Sequence, residues 1–211
     1  MPARDRTRPT RRRLAYETAR IMVEQDLCDY DRARRKAAER TGILDRRCWP
    51  SNDEIHEAVL AQRRLFLGDA HDRGLRRLRR AAAQAMEALD AFDPRLVGGA
   101  LDGSGPPERG VQLQLYADCP EEVAFALIDR RIPWDDGERT LRYSCGTRRS
   151  HPVFRFVAGE IPHELIVLPR QALRNPPLDP VTERPERGAD RAELERLLDA
   201  ESDPAPPALA R

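Results

Sequence analysis

The sequence has little of several features that usually mark a class of function. Its 37 basic residues include a single lysine, Lys36, and 36 acidic residues balance them, which leaves a formal net charge of +1. No global field therefore attracts nucleic acid or repels it. No apolar run approaches the ~20 residues that a membrane span needs, and no apolar stretch follows the basic amino terminus as it would in a secretory signal. These absences predict a soluble, cytoplasmic protein with no membrane partner.

Metal-binding patterns are missing as well. The cysteines are Cys28, Cys48, Cys119 and Cys145, and the histidines are His56, His71, His151 and His163. No two cysteines form a Cys-x-x-Cys pair, and no neighbouring histidine completes a zinc spacing. The pattern is typical of scattered thiols in a reducing compartment, and it predicts no metal centre and no cofactor.

What the sequence does have is enough length, 211 residues, for one domain with a helical extension and a buried core. The first ten residues combine prolines and arginines and cannot bury enough apolar surface to order themselves. Composition and turn signals predict a disordered arm at 1–10, a helical region at 11–92, a mixed α/β core at 93–170, a Pro-rich loop with a carboxy-terminal helix at 171–200, and a disordered tail at 201–211.

Periodicity predicts several helices before the core. Apolar residues recur at three- and four-residue spacing over 14–23 and again over 30–40. Ser51 and Glu54 form the pattern of a capping box, which predicts a helix that runs to Gly68.

A further helix is predicted over 75–92, and arginines crowd its start. They are Arg73, Arg76, Arg77, Arg79 and Arg80. We interpret them as a solvated helix face, with a phosphate or nucleic-acid contact as the alternative. Few aromatic residues accompany them on which bases could stack, so a nucleic-acid partner is only weakly supported.

The character of the sequence changes at residue 93. Residues 96–101 predict a short strand that enters a glycine turn, and 111–116 alternate apolar and polar residues as a half-buried strand does. Pro120 then opens a helix. Further strands are predicted at 139–145, 153–158 and 162–168, with loops at 135–137 and 159–160.

The segment 96–118 carries the most informative pattern. Residues 96–99 read Leu-Val-Gly-Gly, 109–115 read Arg-Gly-Val-Gln-Leu-Gln-Leu, and 162–168 read Pro-His-Glu-Leu-Ile-Val-Leu. In layout they resemble nucleotidyltransferases of the polymerase-beta type, which carry a Gly-Ser pair at a strand end, Asp-x-Asp on the next strand and a third acid on a neighbouring strand. The resemblance covers roughly residues 70–170, and the segment 29–38 is similar to one that precedes the core in bacterial nucleotidyltransferase-like proteins.

The resemblance implies a position for each matching residue. Gly98 and Gly99 stand at the Gly-Ser pair, Arg109 keeps the arginine before the acids, Gln112 and Gln114 stand at the two acid positions, and Glu164 stands at the third. In the family, carboxylates at i and i+2 project from one face of a strand and hold two magnesium ions.

Gln112 and Gln114 are neutral, and Glu164 alone would make a weak metal site. Gly99 also replaces the serine that would contact a phosphate. We therefore predict no catalytic and no metal-ligating residue, and we interpret these positions as a degenerate pocket. Its amides would donate hydrogen bonds where a metal would otherwise lie.

Three functions remain open. The first is a catalytically inactive nucleotidyltransferase-fold protein that binds an anion, a nucleotide or other phosphate-bearing ligand, or a macromolecular partner. The second is an active magnesium-dependent nucleotidyltransferase with displaced acids, for which Asp102, Glu108 and Asp118 are the nearby candidates. The third is a structural or interaction protein that uses its helical region.

The sequence favours the first of these. It predicts an α+β fold in which a helical amino-terminal region packs on a small mixed sheet of nucleotidyltransferase type, with a carboxy-terminal helix.

Overall fold

The expected α+β class is confirmed in a computed structural model of the chain, which describes residues 3–25, 27 and 29–202. The chain divides into two compact units. One comprises the residues up to His71 with Pro180–Glu183, and the other comprises Asp72–Asp179 with the residues from Arg184 onward. Among the described residues, no helix combines the length and the apolar character that crossing a membrane requires.

The first unit is helical. It contains α1 (Ala3–Glu24), α2 (Tyr30–Thr41) and the first part of α3 (Asn52–Ala88). Small residues let α1 and α2 approach closely, and the buried side chains between the helices are Leu14, Ala19, Ile21, Met22, Ala33, Ala37, Ala38, Ile55 and Val59.

Side chains and glycines fix the ends of these helices. The Asp29 carboxylate accepts a hydrogen bond from the backbone N–H of Arg32 at the start of α2, and Gly42 ends α2 with a φ of 72°. The capping box predicted for α3 is confirmed. Ser51 Oγ accepts from the N–H of Glu54 at 3.2 Å, and the Glu54 carboxylate accepts from the N–H of Ser51 at 2.8 Å.

The amino-terminal arm differs from the expectation. Within the predicted arm 1–10, residues 3–10 are the first turns of α1, and Pro9 lies inside this helix. Arginine has a high helix propensity, and the amphipathic helix that follows supplies a nucleus from which these turns extend.

Helical geometry breaks at Gly68, where a helix was predicted to end. Gly68 has a φ of 42° and a ψ of −131°, and α3 resumes after it. We predicted the boundary of the core after residue 92, but the compact units divide after His71. The reason is that Leu78, Ala82 and Met86 of the second part of α3 are buried in the same cluster as the sheet residues.

The second unit is built on a five-stranded mixed sheet with the order β1-β2-β5-β4-β3. The strands are β1 (Arg95–Val97), β2 (Val111–Tyr116), β3 (Asp135–Arg142), β4 (Arg148–Ala158) and β5 (Ile161–Leu168). The pair β2–β5 is parallel, and the other pairs are antiparallel. The helix α4 (Gly99–Asp102) joins β1 to β2, and α5 (Pro120–Asp129) joins β2 to β3.

The alternation in β2 gives the sheet two different faces. Val111, Leu113 and Leu115 are buried in a large apolar cluster with residues of α3 and α5. Gln112, Gln114 and Tyr116 point to the opposite face, as a period of two residues requires. We call this opposite face of the sheet the polar face.

Two strands begin earlier than predicted, and the one predicted at 139–145 ends at Arg142. Residues 135–137 were expected to form a loop, but they begin β3 and pair with residues 153–155 of β4. β4 itself starts at Arg148 rather than at residue 153. Asp and Gly have low intrinsic strand preference, so the pairing with β4 overrides the local signal.

The predicted carboxy-terminal helix is present as α6 (Arg191–Ser202). Asp190 and Glu193 form a reciprocal capping box at its start, with distances of 2.8 and 2.9 Å. Leu194 is fully buried in the cluster beneath the sheet, and Leu198 packs against the same cluster. The disordered tail predicted at 201–211 lies outside the described residues from position 203 onward.

Replacing Leu194 with alanine tests the docking of α6. We expect Leu194→Ala to lower the free energy of unfolding by about 2–5 kcal/mol, because it leaves a cavity in the apolar cluster. The measurement is denaturant unfolding followed by circular dichroism. The control is Leu65→Ala, because the side chain of Leu65 is 76% exposed. Equal stability of the two variants would contradict the docking of α6.

Candidate functional site

Glu164 lies at the centre of the polar face. In the sheet it is the direct neighbour of Gln112 on β2 and of Arg155 on β4. One carboxylate oxygen accepts hydrogen bonds from Gln112 Nε2 at 3.0 Å and from Arg139 Nη1 at 2.8 Å. The other accepts from Nε and Nη2 of Arg155 at 3.1 and 3.0 Å. Both oxygens of this carboxylate are therefore engaged by donors of the protein.

A glycine on β3 makes room for this arrangement. A Cβ atom at Gly137 would lie 2.2 Å from Nη1 of Arg155. The guanidinium of Arg155 therefore passes over the backbone of β3 where no side chain stands in its way.

Gln114 forms a second pairing of an amide with a carboxylate. Its side chain is 1% exposed. Its Nε2 donates to the Glu186 carboxylate at 3.2 Å, and its Oε1 accepts from the Tyr116 hydroxyl at 3.0 Å. Burial raises the pKa of Tyr116 to about 12, so this hydroxyl keeps its proton and acts as the donor.

Glu186 reaches the polar face from the Pro-rich segment. Its backbone N–H donates to the carbonyl of Pro177 at 2.8 Å, which fixes the segment locally. Burial raises the pKa of Glu186 to about 7, and the nearby negative charges of Asp179 and Asp102 act in the same direction. Arg139 and a hydrogen bond from the backbone N–H of Gly98 oppose this rise.

The two glycines at the end of β1 have different surroundings. Gly98 has a φ of 67°, and a Cβ there would lie 2.6 Å from Oε1 of Gln112. Gly99 instead faces Gly105, since its Cβ would lie 2.3 Å from the Gly105 Cα. A serine at position 99 would collide with this backbone. Gly99 is therefore required by the turn and does not line the polar cluster.

Arg109 lines a small cavity. The cavity has a volume of about 300 Å³, and Arg109, Gln112, Arg155 and Glu164 are among its lining residues. Gly110 follows with a φ of 73°, and a Cβ there would lie 1.9 Å from the carbonyl oxygen of Pro162. The start of β2 therefore packs directly against the start of β5.

The structure thus brings together most of the residues singled out from the sequence. Gly98, Gln112 and Glu164 are in contact, Arg109 shares their cavity, and Gln114 joins the cluster through Glu186. The sequence analysis did not identify Gly137, Arg139, Arg155 or Glu186. The alternation of β3 and β4 could have placed both arginines on one face, but nothing local linked Glu186 to Gln114.

Of the candidate displaced acids, Asp102 lies near Glu186 and acts on it through its charge, and none of the three hydrogen-bonds to Gln112, Gln114 or Glu164 in the contacts that the structure describes. The Asp102 carboxylate accepts from the N–H of Ser104 at 2.7 Å, the Asp118 carboxylate accepts from the N–H of Arg170 at 3.1 Å, and Glu108 is exposed. Within the described ranges, no group of three or more His, Cys, Asp or Glu side chains could hold a metal ion. The polar face around Gln112 and Gln114 is therefore arranged as a hydrogen-bonded network of amides, carboxylates and guanidiniums, beside an apolar cluster of Tyr116, Val153, Ile166 and Leu168.

Comparison of the sequence with protein-family models and with curated proteins found no match to either.

The raised pKa of Glu186 predicts a specific pH dependence of stability. Between the ordinary glutamate pKa of 4.5 and about 7, the folded chain holds a proton that the unfolded chain has released. Stability from this group is complete below that window and is lost as the pH rises through it. We expect Glu186→Gln to remove this loss, so that the variant gains stability relative to the wild type as the pH rises from 5 to 8.

The measurement is denaturant unfolding at a series of pH values, read as the difference between wild type and variant. The difference is informative because burial also lowers the pKa of His151 and of His163, and both chains share that contribution. The control is Glu160→Gln, whose carboxylate is 89% exposed. A flat difference for Glu186→Gln would show that this carboxyl titrates as it does in water.

Proposed function

We propose that the chain is a catalytically inactive protein of the nucleotidyltransferase type that works by binding an anion, a nucleotide or a macromolecular partner. The observation that carries the proposal is the saturation of Glu164. Its two oxygens accept four hydrogen bonds from Gln112, Arg139 and Arg155.

This saturation works against a magnesium site. A divalent cation needs anionic oxygens that can replace its waters. Here the cation would have to displace the guanidiniums of Arg139 and Arg155, which stay close and repel it. Glu164 lies between two guanidiniums, and the cavity beside it is lined by Arg109 and Arg155 as well as by Asp135 and Glu164. The guanidiniums of Arg109 and Arg155 are the groups that an anionic ligand would contact there.

The glutamines fit the same interpretation. Acids at positions 112 and 114 would stand beside the carboxylates of Glu164 and Glu186, and the repulsion would raise their pKa values or require cations. Amide donors at these positions stabilise both carboxylates instead. Neutral side chains are therefore the ones that a metal-free network needs.

The layout of the core supports the choice of family. A glycine turn at Gly98 leads from β1 into α4, and β2 then carries Gln112 beside Glu164 of the parallel strand β5. This is the arrangement that the resemblance implies for the phosphate turn and the acids. We place the protein in the cytoplasm as part of the same proposal, because Cys48, Cys119 and Cys145 are free thiols and suit a reducing compartment.

Isothermal titration with ATP, with and without magnesium, tests the proposal. We expect any binding to be independent of the metal and to occur without turnover. Turnover of ATP that strictly requires magnesium would contradict the proposal and favour an active enzyme with displaced acids. Absence of binding in both conditions would favour a partner, which a pull-down with the full chain would then address.

Restoring the acids gives a sharper prediction. We expect the double variant Gln112→Asp, Gln114→Asp to melt at a lower temperature than the wild type in a chelator at pH 8, because it crowds carboxylates on one face. Magnesium should return part of the lost stability by occupying the new cluster. The measurement is thermal unfolding in the chelator and in millimolar magnesium.

The control is Gln84→Asp, Gln171→Asp, which makes the same charge change at exposed positions. The proposal would be contradicted if magnesium raised the melting temperature of the wild type and the Glu164→Gln variant had lost this response.

A further inference from the structure

A large cleft lies in the second unit, apart from the polar network of Glu164. It has a volume of about 810 Å³, and its walls come from the second part of α3, from Arg130 and Ile132 after α5, and from the turn between β4 and β5. This volume lies within the range of sites that hold small organic ligands. We call it the arginine cleft.

Five arginines surround the cleft, and these are Arg73, Arg76, Arg77, Arg80 and Arg130. The four on α3 follow the spacing i, i+3, i+4 and i+7, which places their guanidiniums along one side of the helix. No acidic side chain is among the described residues that line the cleft. Its rim therefore carries a concentrated positive charge.

These arginines are only partly engaged by the protein. Arg130 donates to the carbonyls of Ala126 and Ala88, and Arg76 donates to the carbonyls of Asp72 and Glu201. Arg77 donates to the carbonyl of Gly159 and pairs with Glu160 at 3.2 Å. Glu160 is 89% exposed, so this ion pair contributes little. Among the residues that the structure describes, the side chains of Arg73 and Arg80 have no hydrogen-bond or ion-pair partner.

The interior of the cleft is apolar. Ala85 of α3, Ile132 and Ile161 line it together with Phe156. The Phe156 ring stacks on the imidazole of His163 with centroids 4.9 Å apart and planes inclined by 5°. Burial lowers the pKa of His163, so that this wall is uncharged at neutral pH.

The arginines of α3 also stand close enough to repel one another. Like charges at i, i+4 on a helix repel each other, and here Arg73 stands four residues before Arg77 and Arg76 four before Arg80. A bound anion would reduce this repulsion and accept charge-assisted hydrogen bonds from the guanidiniums.

We propose that the arginine cleft binds a small amphiphilic anion, with an apolar chain on the Ala85–Ile132–Phe156 wall and a phosphate or carboxylate head at Arg73 and Arg80. A concave cleft with apolar walls encloses a single molecule, and for that reason the proposal commits to a free amphiphile and not to a membrane surface. It deepens the proposed binding role. Phe156 and His163 also line the cavity beside Glu164, but Arg73 and Arg80 line the cleft alone, so substitution of these two arginines tests the cleft by itself.

Three probes separate the contributions of head and chain. Dodecyl phosphate carries both, inorganic phosphate carries only the head, and dodecanol carries only the chain. In calorimetric titrations of the full chain below the micelle concentration, we expect dodecyl phosphate to bind with one molecule per chain. Inorganic phosphate should bind at least about 100-fold more weakly, because the apolar contacts are lost.

Charge removal tests the head-group site. The double variant Arg73→Gln, Arg80→Gln should weaken dodecyl phosphate binding by about tenfold or more, because two charge-assisted contacts are lost. The matched control is Arg12→Gln, Arg13→Gln, which makes the same charge change at exposed positions of α1 and should bind as the wild type does. A second variant, Ala85→Phe, fills the apolar wall and should also weaken binding, and thermal unfolding checks that each variant is folded.

Several results would overturn the inference. They are no binding of dodecyl phosphate to the folded wild type, equal binding to the Arg73, Arg80 variant, and dodecanol binding that matches that of the phosphate. Sedimentation with phosphatidylglycerol vesicles, in the absence of binding to monomeric dodecyl phosphate, would also overturn it and would assign the arginines to a membrane surface.

Discussion

The carboxylate of Glu164 ties the strands of the sheet together on its polar face. It lies on β5 and accepts hydrogen bonds from Gln112 on β2, from Arg155 on β4 and from Arg139 on β3. Each donor depends on a local feature of the backbone, since Gly98 leaves space for Gln112 and Gly137 leaves space for Arg155. Loss of this one carboxylate would leave two guanidiniums and an amide without their common acceptor, and a half-buried charge without its partner destabilises a fold.

The two carboxylates of the polar face, Glu164 and Glu186, have neighbours of opposite charge. Glu164 lies between two guanidiniums, whereas Glu186 lies near Asp179 and Asp102 and is held by Gln114 and the Gly98 N–H. The same surface therefore pairs one acid with two guanidiniums, and burial raises the pKa of the other. Glutamines serve both acids, because an amide N–H donates to a carboxylate or to the carbonyl oxygen of a carboxylic acid.

Local patterns predicted the elements with short-range causes. The sequence predicted the capping box at Ser51, the break at Gly68 and the alternation of β2. The start of β3 was not, because its pairing with β4 overrides the turn signal of residues 135–137. The site could be predicted from the sequence only in part. Gln112 and Glu164 were identified by the resemblance, whereas Glu186 lies 72 residues from Gln114 and contacts it only through the tertiary fold.

The strict alternation of β2 has a consequence for the fidelity of folding. A slip of one residue in its pairing with β5 would turn Gln112 and Gln114 into the apolar cluster and place Leu113 among the polar groups of the opposite face. The amides would lose the carboxylates to which they donate, and the carboxylates would face a leucine, so the misaligned sheet carries two penalties at once. The tight approach of Gly110 to Pro162 adds a steric stop at the end of the same strand. The alternation that places the two amides on the polar face thus also disfavours a misaligned pairing of β2 with β5.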